Sequence, residues 1–206
     1  MSSRSSPSRS PAVRGRPRSL GAKRAILDAA RALVEKGGYQ AATIEAIAAR
    51  SGVAKTTIYR WWPNRTTLVV DLLVEMAAAE VPAPVGRDPL RALRTELRRT
   101  AAVADAPLGR LLMSLLGEAQ DDPELRVSLL KGLFHPRREA SARVIRQAQA
   151  SGALRPDVPP YMAADLLFGP LFYRMLFGHE QVTESFINQV FQYVMTGLQA
   201  RPAPRK

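Results

Sequence analysis

Residues 43–62 read Thr43-Ile-Glu-Ala-Ile-Ala-Ala-Arg-Ser-Gly52-Val-Ala-Lys-Thr-Thr-Ile-Tyr-Arg-Trp-Trp62. Thr43 is a good helix N-cap, and Glu45 stands in the first turn, where a negative charge suits the helix dipole. The helix it opens ends at Gly52, because a tight turn there needs a positive φ. Ala48, four residues earlier, is small enough to let two helices cross closely, and Val53 plugs the turn. A short helix is predicted over about 54–61, with Ile47, Ile58 and Trp61 pointing into a small core shared with the first helix of the chain. The pattern fits a helix-turn-helix. The remaining face of the second helix carries Lys55, Thr56, Thr57, Tyr59 and Arg60, short or basic donors suited to a major groove. Trp61 and Trp62 read as packing residues rather than base-stacking ones. Tyr59 is either a core residue or a phosphate donor, and its hydroxyl favours the phosphate. Such helix pairs also occur in proteins that never touch DNA, so charge has to decide.

Charge is concentrated around this motif. Residues 1–67 hold 13 Lys and Arg against 3 Asp and Glu, a net +10, while residues 68–206 hold 17 against 15, a net +2. This distribution reads as an anion-binding module joined to a near-neutral one. Nucleic acid is the first candidate for the anion and an acidic membrane surface the second. The chain has no cysteine and only two histidines, His135 and His179. That excludes disulfides, thiolate metal sites and cysteine nucleophiles, and no metal or cofactor is implied. No phosphate-cradling glycine loop or nucleophile–histidine–acid set is visible, so no enzyme activity is expected. The polar, basic stretch Met1–Pro11 does not read as a secretory signal, and no apolar run is long enough for a membrane span. A cytoplasmic protein with no membrane partner is expected.

Outward from the motif, the spacing of apolar residues is helical nearly everywhere and the fold class is all-α. A first helix is predicted over about 20–36, with a stripe of Ile26, Ala30, Leu33 and Val34 and a stop at Gly37-Gly38. After a break at Pro63, a longer helix is predicted over about 65–79. Further amphipathic helices are predicted over 88–104, 108–120 and 124–150, the last interrupted at Pro136. Residues 160–178, with a kink expected at Pro170, and 183–199 complete the set. Asp121, Asp122 and Glu124 read as the charged start of a helix rather than a cation site. The chain divides into a disordered basic arm over 1–19, a DNA-binding domain over 20–66, a helical effector-binding and dimerisation domain over 67–200, and a basic tail over 201–206.

Arg24-Ala-Ile-Leu-Asp-Ala-Ala-Arg31, Gly38-Tyr-Gln-Ala-Ala-Thr43, Ile47-Ala48, Gly52-Val53 and Thr57-Ile-Tyr59 resemble the N-terminal domain of TetR-family transcriptional regulators. The likeness covers about residues 20–70. It implies a homodimer with two such heads, a palindromic duplex-DNA operator and a C-terminal domain that binds a small-molecule effector. It also implies that Thr43, Lys55, Thr56, Thr57, Tyr59, Arg60 and Arg65 lie near DNA. Ala54 departs from the Ser or Thr usual in the family, which costs the third helix a side-chain cap worth about 1 kcal/mol. Arg65 stands where Lys is common, and Trp61-Trp62 replaces a more usual pair containing Phe. Upstream, Arg14-Gly15-Arg16-Pro17-Arg18 resembles an AT-hook. Arg14, Arg16 and Arg18 either read a narrow minor groove or serve as a solvated basic tail drawn to phosphates.

In the C-terminal part, Leu112, Met113, Leu116, Phe134, His135, Phe168, Phe172 and Tyr173 either line an apolar effector cavity or form ordinary core. Leu167, Leu171, Phe186, Ile187, Val190, Phe191, Val194 and Met195 form stripes on the last two helices. These read as core on their own; the resemblance favours a four-helix dimer interface. The function expected is a ligand-responsive transcriptional regulator, a repressor released from its operator by a small molecule. The alternative is an architectural DNA binder with no effector.

Overall fold

The computed structural model describes residues 17–200, with side chains from residue 20 onward. Residues 1–16 of the predicted arm, including Arg14 and Arg16, and the 201–206 tail lie outside the described residues; residues 17–19, expected in the disordered arm, instead open the first helix, and the side chain of Arg18 is not described. The architecture is all-α. In chain order the helices are α1 (Pro17–Ala41), α2 (Ile44–Ser51), α3 (Lys55–Trp61), α4 (Arg65–Glu80), α5 (Pro89–Ala102), α6 (Pro107–Glu118), α7 (Pro123–Leu129), a π turn (Leu130–Phe134), α8 (His135–Ala150), α9 (Pro160–Phe177) and α10 (Glu184–Leu198).

Local chemistry accounts for most of these boundaries. Pro89, Pro107, Pro123 and Pro160 each occupy the first position of a helix, where a missing N–H costs nothing and φ is already set. Thr43, Asn64, Asp88, Asp122 and Thr183 accept a bond from a first-turn N–H of α2, α4, α5, α7 and α10, respectively. Ala54 offers α3 no side-chain cap. The Gly37-Gly38 stop becomes a kink: Gly38 has φ 67°, and another helical stretch follows to Ala41. The interruption expected at Pro136 takes the form of the π turn. Pro136 has no N–H to give the Gly132 carbonyl, and the backbone is wound so that the His135 N–H reaches Leu130 instead. Helix α9 is continuous through Pro170.

Two apolar cores result. The first joins α1, α2, α3 and α4 to α6, α7 and the π turn; Ile26, Ile47, Ile58, Leu68, Leu72, Leu73, Met76, Leu111, Leu115 and Leu125 are fully buried in it. The second joins α5, α8, α9 and α10 around Leu93, Leu97, Ile145, Leu167 and Leu171. Complete burial of one such side chain stabilises by about 1.5–3 kcal/mol. Helix α4 faces the head on one side and the C-terminal helices on the other, so the packing is continuous across residues 66 and 67.

Two sequence expectations are corrected here. It is Trp62 (3 % exposed), one turn beyond Ile58, that enters the head core, while Trp61 stays 36 % exposed. The indole N–H of Trp62 donates to Asp71 on α4 at 2.9 Å. The residues expected at a dimer interface mostly face inward within the protomer. Leu167, Leu171, Ile187, Val190, Phe191 and Met195 are buried, and Phe186 and Val194 are half-buried against the same core. Arg174 stacks on Phe186 and Arg94 on Phe191, which covers one face of each ring. The large apolar residues left exposed on α9 and α10 are different ones, among them Met162, Leu166, Tyr173, Leu176, Phe177 and Tyr193.

Candidate nucleic-acid interface and effector cavity

The helix-turn-helix is built as its residues require. Thr43 Oγ1 accepts from Ala46 N at 3.1 Å, and the Gly52 N–H donates to the Ala48 carbonyl at 3.0 Å with φ 68° at Gly52. Ile58 and Trp62 anchor the inner side of α3. Lys55, Thr56, Tyr59 and Arg60 are then exposed on its outer side, Thr57 is half-buried, and Thr43 sits half-buried at the start of α2. Lys55 Nζ pairs with Glu45 Oε1 on α2 at 2.6 Å, and this bond holds the Glu45 carboxyl below its ordinary range.

Arg65 is placed differently from the rest of the set. Its guanidinium lies 3.7 Å from the centre of the Tyr39 ring, and Nη2 donates to the Tyr39 carbonyl at 2.7 Å. Its Nε is buried without a partner. Arg65 therefore clamps the start of α4 to the end of α1. Farther along, Arg24 pairs with Glu75 at 2.9 Å, so α4 and α1 are joined at two levels.

Helices α4, α5, α6, α8 and α9 and the π turn line a half-open cavity of about 280 Å³, just below the usual range for ligand sites. Of the residues expected to line it, Leu112, Phe134, Phe168 and Phe172 do. Met113 and Leu116 pack against the first core instead. His135 is exposed at the start of α8, and Tyr173 points outward beside Phe177 and His179. These four miss the cavity because the faces of α6, α8 and α9 are set by packing that spacing alone does not specify. Gly109 allows α6 to start against the end of α5: a Cβ there would stand 2.1 Å from the Ala104 carbonyl oxygen.

The cavity also has a polar wall that the sequence reading missed. Glu96 of α5 is buried, and its Oε2 accepts from Ser141 Oγ at 2.9 Å. Arg137 Nη2 stands 3.4 Å from Glu96 Oε1, while Nη1 donates to the Val81 carbonyl at 2.7 Å. Val81 caps the C-terminus of α4. Burial pushes the Glu96 carboxyl above its ordinary range and lowers the Arg137 guanidinium from its own, with their mutual attraction opposing both shifts. Arg138 is held by both oxygens of Asp165, with Nε at 2.7 Å from Oδ1. A signal for Glu96 was present: it follows Leu93 by three residues and precedes Leu97, on the buried face of α5.

Among the described residues, no group of three or more His, Asp or Glu is placed to hold a metal ion, and no helix is long and apolar enough to cross a membrane.

The two parts match known families separately. Residues 26–72 match the family described as bacterial regulatory proteins, tetR family, and residues 83–194 match the tetracyclin repressor-like C-terminal domain. The chain is 31 % identical over 190 residues to the uncharacterised HTH-type transcriptional regulator YdeS of Bacillus subtilis strain 168, covering 92 % of this chain and 96 % of that one. Among solved structures, the TetR family transcription regulator SCO0332 superposes with a TM-score of 0.75 at 30 % identity, covering 86 % of this chain and 98 % of that one. The Thermus thermophilus repressor FadR, in complex with lauroyl-CoA, gives 0.68 at 21 % identity, covering 89 % and 98 %.

Proposed function

Because this chain belongs to the TetR family and is a DNA-binding transcriptional regulator, we propose that it is a homodimeric repressor that a small molecule releases from a palindromic operator. The observation that carries this reading is the link between two sites. The outward face of Lys55, Thr56, Tyr59 and Arg60 on α3 is followed by Trp62, which bonds to Asp71 of α4, and α4 runs on to a cavity walled by Ala77 and Val81 near its other end. Lys55 and Arg60 supply phosphate or base contacts, Thr56 and Thr57 short hydroxyl donors, and Tyr59 a hydroxyl at the groove edge. Thr43 lies at the N-terminus of α2, where backbone donors suit a phosphate. Arg65 acts as a positioning residue that fixes α4 against α1. Two heads are joined by the exposed apolar face of α9 and α10, and a two-fold axis through that face suits a palindrome.

Release follows from a two-state equilibrium. A ligand filling the cavity favours the arrangement in which the end of α4 is displaced, and the displacement alters the separation of the heads. Coupling of about 1–3 kcal/mol is typical of such systems. The FadR neighbour, solved with lauroyl-CoA, supports the existence of a ligand site in this fold.

The test is binding to a duplex selected from a random library by the wild-type dimer. Lys55→Ala and Tyr59→Ala are each expected to weaken anisotropy-measured affinity about tenfold or more at fixed salt, with the melting temperature unchanged. Unaltered affinity in both variants would remove α3 as the reading helix.

A further inference from the structure

The cavity is apolar along most of its wall, yet four ionic side chains border it. They form two pairs, Glu96 with Arg137 and Arg138 with Asp165, so their charges cancel. The pairs are not equally closed. Asp165 holds Arg138 through both oxygens, whereas Arg137 and Glu96 stand 3.4 Å apart at their nearest polar atoms. Glu96 receives one short bond, from Ser141, although an ionised carboxylate can accept about four. Arg137 retains N–H groups beyond the one given to Val81. Burial leaves both groups of this looser pair short of solvation.

We propose that the effector is an uncharged, largely apolar molecule with one hydroxyl-type head, which donates to Glu96 and accepts from Arg137. The inference rests on reading the cavity as the effector site. An anionic or cationic ligand would add an uncompensated charge inside a low-dielectric cavity whose own charges already balance, and the desolvation penalty would fall on the ligand. A hydroxyl is both donor and acceptor, so it serves the two sides of the open pair at once. Because Arg137 also holds the Val81 carbonyl, the head group engages the residue that ties α8 to the end of α4. Recognition and displacement of α4 therefore share one side chain.

The experiment uses octanol, octanoate and octylamine, which share a tail and differ in head charge at neutral pH. Their binding to the full-length dimer is measured by calorimetry. The wild type is expected to bind octanol at least about tenfold more tightly than either charged probe. Glu96→Gln leaves the wall with a net positive charge and should shift the preference to octanoate. Arg137→Gln leaves it negative and should shift the preference to octylamine. A merely structural role for either residue would lower the melting temperature without reordering the probes. Wild-type preference for a charged probe, or an unchanged order in both variants, overturns the proposal while leaving the cavity as the effector site. Phe168→Trp, which fills the cavity, should abolish octanol binding. Octanol binding that survives this substitution, or no binding of any probe to the wild type, overturns the cavity reading and this proposal with it.

Discussion

The head and the C-terminal helices solve different problems with the same secondary structure. In the head, residues 20–66 must bury a small core and present one short helix outward, so almost every position is dictated by its neighbours along the chain. Thr43 caps, Gly52 turns, Ile58 anchors, and the residues between them face out because nothing else can. In the C-terminal part, α9 and α10 carry apolar residues on more than one side, some buried and some exposed. Which side faces the core, the cavity or the outside depends on helices far away in sequence. Local spacing specifies a surface when one side must be polar; where a helix is apolar all round, only tertiary packing decides.

Trp62→Ala breaks this comparison most severely. It removes a large buried ring from the head, and a loss of about 3–5 kcal/mol is expected. Because the first core runs from α1 through α4 to α6 and α7, calorimetry should show one transition moving down, not a head melting apart from the rest. Two separate transitions would mean that the head folds independently.

Next in size is a pair of substitutions on α10. Tyr193→Glu alters the exposed face (70 % exposed) and is expected to yield folded monomers in sedimentation velocity. Phe191→Glu places a charge in the second core and is expected to unfold or strongly destabilise the protomer. If Phe191→Glu gave well-folded monomers instead, the interface would lie on the inner stripe after all.

A smaller effect concerns Glu96. Its carboxyl binds its proton more tightly in the folded protein than in the unfolded chain. The folded state therefore holds more protons between the ordinary glutamate value and the raised one, and stability falls as pH rises through that window. Glu96→Gln should flatten this fall in denaturant midpoints measured from pH 4 to 8. A wild-type midpoint that gains on the Glu96→Gln midpoint as pH rises across the window would show that the pair with Arg137 outweighs burial.

Smallest of all is Glu45→Ala. Freeing Lys55 from its exposed partner should tighten DNA binding a few-fold and steepen the dependence of log affinity on log salt by about one. An unchanged slope would mean that Lys55 does not reach a phosphate.

The sequence was most readable where a residue type has one physical use. The cap at Thr43 and the turn at Gly52 follow from backbone chemistry alone. The Trp pair was read one position early, since both indoles are large and apolar and only the i, i+4 relation to Ile58 separates them. The stripe of Phe186, Ile187, Val190, Phe191, Val194 and Met195 on α10 packs within the protomer, because its helical spacing serves a core as well as an interface. Half of the residues expected at the cavity line it: Phe134 of the π turn, Phe168 and Phe172 of α9, and Leu112 of α6. The cavity's polar wall was not read, although Glu96 between Leu93 and Leu97 marks a charge on an apolar face.

The continuous core has a consequence for recombining such regulators. A head grafted at residue 66 onto another body would carry half of a packed interface, because Leu72, Leu73 and Met76 of α4 meet α6 and α7 of the same chain. A functional chimera of this protein would need its seam elsewhere: helices α1 to α4 would have to be transplanted with α6 and α7, or the facing residues matched in shape. New operator specificity is therefore easier to introduce by exchanging the outward side chains of α3 than by exchanging whole domains.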